Sequence, residues 1–131
     1  MKIVRIEIEQ AYDERGELEI LTWDLFPIVA STETTHLTDD GLPKIGSVIR
    51  AGKPIVGKIC KTKQFNPNNR PSSLEIHGLA FEELKARYGN MWKDSSVYAT
   101  HETQGKVINI QTENMGGRMK VIVEIDIDIS L

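Results

Sequence analysis

Residues Leu37 to Thr62 read LTDDGLPKIGSVIRAGKPIVGKICKT, and four of the chain's ten glycines fall inside this stretch. Glycine lacks a Cβ and takes positive φ without a clash, and Asp tolerates the same region, so Asp40-Gly41 marks a tight turn. Pro43-Lys44-Ile45-Gly46 brings a short apolar run to a second turn, and Val48-Ile49 leads into a third at Ala51-Gly52-Lys53-Pro54. Ile55 to Cys60 reads as a strand with Gly57 inside it, where a bulge or a close backbone approach is expected. Turns this close leave no room for a helix longer than one turn. The stretch therefore predicts short strands bent back on one another.

On the N-terminal side, Val4, Ile6 and Ile8 alternate with Arg5, Glu7 and Glu9, the pattern of a half-buried strand. Asp13-Glu14-Arg15-Gly16 is a turn. Leu18 to Trp23 suggests a second strand, ended by the apolar residues around Pro27. The Thr-rich run Ser31 to Thr38 is a loop or an irregular edge. On the C-terminal side, Lys63 to Ser73 is rich in Asn, Pro and Ser and reads as loop. Leu74 to Ile76 reads as a short extended piece. Phe81, Leu84 and Tyr88 then fall on one helical face, with Glu82 and Glu83 early and Lys85 and Arg87 late, as the helix dipole favours. Gly89 suits the position just past a helix end. One helix is expected, over 79–88. Ser95 to Thr100 returns as a strand. Lys106 to Thr112 alternates, Asn114 to Gly117 turns, and Met119 to Ile129 keeps Val121, Val123, Ile125, Ile127 and Ile129 on one face, which predicts a hairpin. A chain of this pattern closes as a small barrel or sandwich.

With 131 residues, one domain and one core are expected. The net charge of −3 demands no nucleic acid, so any such contact must come from a local basic face. That face has a candidate. Arg50, Lys53, Lys58, Lys61, Lys63 and Arg70 lie in a run without a single carboxylate; they form either a solvated face or a surface for phosphates. Phe65 offers one ring for stacking. His36, His77 and His101 are scattered and lack partners at metal-ligand spacing, and neither Gly52-Lys53 nor Gly57-Lys58 completes a phosphate-binding loop. No metal or cofactor is expected. Cys60 sits in an apolar strand pattern and reads as a small buried residue. Without a membrane-length apolar run or a signal peptide, a cytoplasmic protein is expected. The face of Phe81, Leu84 and Tyr88 either packs on the β body or stands exposed as a partner's anchor.

The order D-D-G-L, I-G and G-x-x-I-V-G-K at 39–58 resembles the flap region of the β subunit of multisubunit RNA polymerases. Leu84 to Gly89 is similar to the end of that family's flap-tip helix, Lys93-Asp94-Ser95-Ser96 to its K-D-S-S return, and Gly105 to Gln111 to its G-x-V-I-x-V-Q strand. The resemblance runs from about Arg5 to the C-terminus. It implies a single flap-like domain over 1–131, a barrel–sandwich hybrid with residues 63–94 as a projecting loop-and-helix tip. It further implies a structural and regulatory role: walling the RNA exit channel, with nascent RNA near the basic run, and docking a σ-like or other transcription factor on Phe81, Leu84 and Tyr88. Other polymerase subunits would be partners. The family's aspartate triplet and downstream lysine segments are missing, so no catalysis is expected from the chain alone. Trp23 and Met91-Trp92 depart from the usual bacterial wording, which fits a divergent source such as a phage acting in its host's cytoplasm. Two rivals remain: a free-standing β-barrel module that binds a host transcription factor, and a small barrel enzyme with its site among the turns of 37–62.

Overall fold

Nine strands and two short helices make up the described chain, which in this computed structural model comprises residues 1–12, 16, 18–21, 34–38, 40–69 and 71–131, with only the backbone of Ile20, Leu21 and Phe81. The strands are β1 (Ile3–Glu9), β2 (Ile20–Leu21), β3 (Val48–Ile49), β4 (Pro54–Val56), β5 (Lys58–Lys61), β6 (Trp92–Asp94), β7 (Val97–Tyr98), β8 (Gly105–Asn114) and β9 (Met119–Asp126). The helices are α1 (Ser73–Gly78) and α2 (Phe81–Tyr88), with a 3-10 turn over Gly89–Met91. The protein is mainly β, as expected, and its largest sheet curls into half a barrel. That sheet has the order β1-β9-β8-β3; β2-β5-β6 and β4-β7 form smaller sheets.

The glycine turns of the central stretch form as the sequence predicts. Gly41, Gly46 and Gly52 all have positive φ. Gly57 has no such conformation; it separates β4 from β5, and its N–H donates to Gly41 O at 2.8 Å, the close backbone approach expected there. The hairpin of β8 and β9 turns at Gly116 and Gly117, both with positive φ. β9 ends at Asp126 rather than Ile129, and the Ile127 N–H is bonded to Lys2 O instead. The register of β8 slips between Val107 and Asn109. This bulge breaks the alternation read from the sequence, so Val107 and Ile110, an odd and an even position, both pack on the main core.

Two apolar clusters hold the molecule. The first joins Ile8, Ile49, Ile55, Val56, Ala99, Val107, Val121, Val123 and Ile125 between the curled sheet and β4-β7. The second gathers Leu37, Ile59, Leu84, Tyr88, Met91 and Trp92 under α2, with Phe65 and Leu79 packed against it.

The region 72–89 differs from the sequence expectation in three ways. Leu74 to Ile76 is helical rather than extended. Ser72 caps α1 with a reciprocal box: Ser72 Oγ accepts from the Glu75 N–H at 3.1 Å, and Glu75 Oε1 accepts from the Ser72 N–H at 3.2 Å. α2 begins at Phe81 rather than Leu79, because the extended pair Leu79-Ala80 separates the helices. Gly89 keeps right-handed φ, −64°, and leads into the 3-10 turn rather than the left-handed close expected of it. The strand expected over Ser95 to Thr100 is shortened to β7, Val97–Tyr98, and β6, Trp92–Asp94, forms ahead of it. The expected turn at Asp13–Arg15, the end of the second strand beyond Leu21 and the start of the Thr-rich loop lie outside the described residues.

Candidate functional site

The five described cations of the basic run do not share one surface. Lys58 points inward. Its Nζ lies 3.1 Å from Glu19 Oε2, and the two side chains are 7% and 9% exposed. The same Glu19 oxygen accepts from Ser95 Oγ at 2.5 Å, and Glu9 O lies 3.4 Å from the ammonium. Ser96 Oγ accepts from the Lys58 N–H at 3.0 Å and donates to Lys58 O at 3.2 Å. Lys58 is thus bracketed by the K-D-S-S segment and is not a surface for phosphates: a cation beside an apolar core is retained only where a counter-charge and hydrogen bonds replace its water.

Lys61 stands over the second cluster, whereas Arg50 and Lys53 flank the turn bonded to Ala99. Lys61 Nζ sits 4.5 Å above the Phe65 ring, and that ring packs edge-on against Trp92 at 5.9 Å. Phe65 is therefore half-buried against the second cluster, with one face under a cation, rather than offered to a base. Lys63 is exposed in the turn after β5, and Arg70 lies outside the described residues.

Arg50 and Lys53 do come together, in company with residues that precede position 50. The turn between them closes through the Lys53 N–H on Arg50 O at 3.1 Å. It is tied to the body by the Gly52 N–H on Ala99 O at 2.9 Å, the Ala99 N–H on Lys53 O at 2.8 Å, and the Ala51 N–H on Gln104 Oε1 at 3.0 Å. Beside this turn opens a depression of about 460 Å³ lined by Thr35, His36, Lys44, Ser47, Val48, Arg50 and Lys53. Its walls are held: His36 Nε2 lies 2.6 Å from Pro54 O, Lys44 Nζ donates to Thr35 O at 3.1 Å, and Ser47 Oγ donates to Lys44 O at 2.5 Å. Among the described residues no carboxylate lines the depression. His36, Lys44 and Ser47 precede position 50, although Lys44 and Ser47 share the same acid-free stretch; the signal that reaches Lys44 and Ser47 is the glycine turn at Gly46, which folds 44–47 back toward Arg50.

The helix face is in the packed arrangement of its two alternatives. Leu84 and Tyr88 are each 6% exposed, inside the second cluster. Phe81 opens α2, and its side chain lies outside the described residues. Glu75 joins the helices: its Oε2 accepts from Tyr88 Oη at 2.5 Å and lies 3.4 Å from Arg87 Nη1. The Tyr88 hydroxyl, then the Ser72 amide, hold the Glu75 carboxyl below its usual range, and the same bond raises the Tyr88 hydroxyl. Arg87 also pairs with Glu83 at 2.8 Å, one turn back.

His36, His77 and His101 remain apart, and among the described residues no group of three or more metal-ligating side chains forms. Cys60 is half-buried on β5 rather than fully buried. Among the described residues no helix is long and apolar enough to cross a membrane. A family model, RNA polymerase Rpb2, domain 6, matches residues 2–129. No curated protein matches the chain.

Proposed function

The chain belongs to the RNA polymerase Rpb2, domain 6, family, and on that premise we propose that it is a flap-like domain that walls the RNA exit channel and docks an initiation factor, with no chemistry of its own. As a β-subunit-related domain it is part of a DNA-directed RNA polymerase assembly, and the other subunits of that assembly are its partners. The observation that carries the finer reading is the order of parts within the match: glycine turns, then the helical excursion of 63–94, then the K-D-S-S return and the long hairpin. In this reading the β body is the wall and α1–α2 is the tip. Leu84 and Tyr88 serve docking by fixing α2 on the body, and the outward side of the excursion, where Leu74 is 86% exposed, meets the factor.

The test is reconstitution. The tagged chain is mixed with the remaining polymerase subunits of its source and fractionated by size. Co-elution with the polymerase is expected, and Leu74→Glu should keep that co-elution while weakening capture of the initiation factor. A chain that stays out of the polymerase yet binds a transcription factor alone would establish the free-standing module instead.

A further inference from the structure

We propose that the free edge of β1 pairs antiparallel with the same edge of a second copy of this chain, joining the two curled sheets through backbone hydrogen bonds. β1 is an outer strand of the largest sheet, and it pairs with β9 in one unbroken register from Ile3 to Glu9. The bonds just beyond its two ends fix which groups are free. The Gln10 N–H donates to Met119 O at 3.2 Å, and the Ile127 N–H donates to Lys2 O at 2.8 Å. Bonded pairs alternate along an antiparallel ladder, so the even positions of β1 face β9 and the odd positions turn their N–H and C=O groups outward. Among the described residues nothing bonds the outward groups of Ile3, Arg5 and Glu7, whereas Lys58 Nζ reaches Glu9 O at 3.4 Å and closes that end. A row of unpaired backbone groups is a template for another strand, and β1 carries neither a proline nor a bulge to blunt it. β3, at the other margin of the sheet, is only 2 residues long and offers no comparable template.

The charges of the strand select a second copy as the occupant. Outward groups bond outward groups only when odd positions face odd positions, so the two-fold axis must pass through a residue. Through Arg5, it sets Arg5 against Arg5; through Glu7, it sets Glu7 against Glu7. Through Ile6, Arg5 of each copy faces Glu7 of the other, and both pairs are bonded and opposite in charge. The same register lays Ile6 on Ile6 and Val4 against Ile8 on the other face. Val4 and Ile6 are half-buried within one copy, so the pairing covers apolar surface that the fold leaves open. Arg5 Nη2 already lies 3.3 Å from Glu7 Oε1 on its own strand, and Lys120 Nζ lies 3.2 Å from Glu7 Oε2. A second copy therefore extends a row of alternating charge. These side chains are about half exposed, 57% and 47%, so they fix the register more than they add strength. The pairing is independent of the flap-like role; it closes this edge in the unassembled chain.

Sedimentation velocity of the 131-residue chain over a concentration series should show a monomer passing into a dimer. Over the same series the amides of Arg5 and Glu7 should gain protection from hydrogen exchange. Arg5→Glu and Glu7→Arg each make both cross-strand pairs like-charged, so each should raise the dimer dissociation constant roughly tenfold or more. Mixed in equal amounts, the two variants should form a heterodimer, because the glutamates of one then face the arginines of the other. Recovery on mixing separates lost pairing from lost folding. The double variant Arg5→Glu/Glu7→Arg should dimerise as the unaltered chain does. A monomer at every concentration, a dimer that both single variants leave unchanged, or no recovery on mixing overturns the proposal. Protection of the Arg5 and Glu7 amides that arises only when the other polymerase subunits are added to a monomeric chain also overturns it, and assigns the edge to a strand of the assembly.

Discussion

At position 58 a lysine that the sequence places in a basic run is instead the centre of a buried ion pair. The reason is the partner. Glu19 comes from a segment 39 positions earlier, and only the pairing of Ile20 with Ile59 brings it alongside. Removing one partner strands the other charge in a desolvated site, so Lys58→Met should cost about 3–5 kcal/mol in urea unfolding, and Lys58→Met with Glu19→Leu should recover most of it. An unchanged midpoint in the single variant would mean that water reaches the pair. Gly105 makes a second single-residue case. A Cβ there would stand 2.2 Å from Asp126 O, on the pairing partner of β8. Gly105→Ala should therefore destabilise the domain by about 1–3 kcal/mol, the range for overpacked sites, read as a lower denaturant midpoint. Glycine is needed at 105 for close approach, whereas at 46 and 52 it is needed for positive φ.

At the scale of elements, the helical excursion is more structured and more committed to the body than its composition suggests. The apolar stripe of α2 is legible from spacing, but spacing is silent on whether a stripe meets the protein's own core or a partner. Here Leu84 lies with Ile59, Met91 and Trp92. Leu84→Ala should cost about 2–5 kcal/mol of stability, the penalty of a buried cavity; a loss below about 0.5 kcal/mol is what a surface site would give. α1 follows directly on an Asn/Pro/Ser-rich tract and is too short to show a periodicity, though Ser72-x-x-Glu75 carries the capping-box signature. Glu75 also supplies a pH dependence. Its carboxyl is held below the ordinary 4.5, first by Tyr88. A lowered folded-state pKa means that the stabilisation is complete above the unfolded value and fades as pH falls through the folded one. Amide protection factors over 73–88, corrected for the intrinsic exchange rate, should therefore fall as the solution is taken below about pH 4.5, and Glu75→Gln should remove that acid limb.

At the scale of the whole molecule, a curled sheet with one apolar cluster carries a smaller sheet and two helices with another. The groups that could do acid–base or metal chemistry are dispersed over this frame or engaged: Glu19 with Lys58 and Ser95, Asp94 with Tyr98 and Ser96, Glu75 with Tyr88. The purified chain should extend no primer on a primed template with nucleotides and magnesium present, measured against a buffer blank. Extension by the chain alone would overturn the proposal that it has no chemistry of its own.

The β class, the hairpin of 105–126 and the turns at Gly41, Gly46 and Gly52 follow from sequence alone, because they are set by alternation and by backbone conformations that few residues adopt. The family, too, is legible in the order of its short blocks. The site is legible only in part. Arg50 and Lys53 are visible as charges, but a run of cations says nothing about which way each side chain points, and β5 turns Lys58 into the core. Lys44 joins the depression across the local Gly46 turn, but His36 joins it from the far side of the Gly41 turn, and the bulge at Ile108 moves Ile110 onto the face of Val107. Those placements depend on which strands pair and in what register, and register is set by contacts between segments, which no local pattern contains.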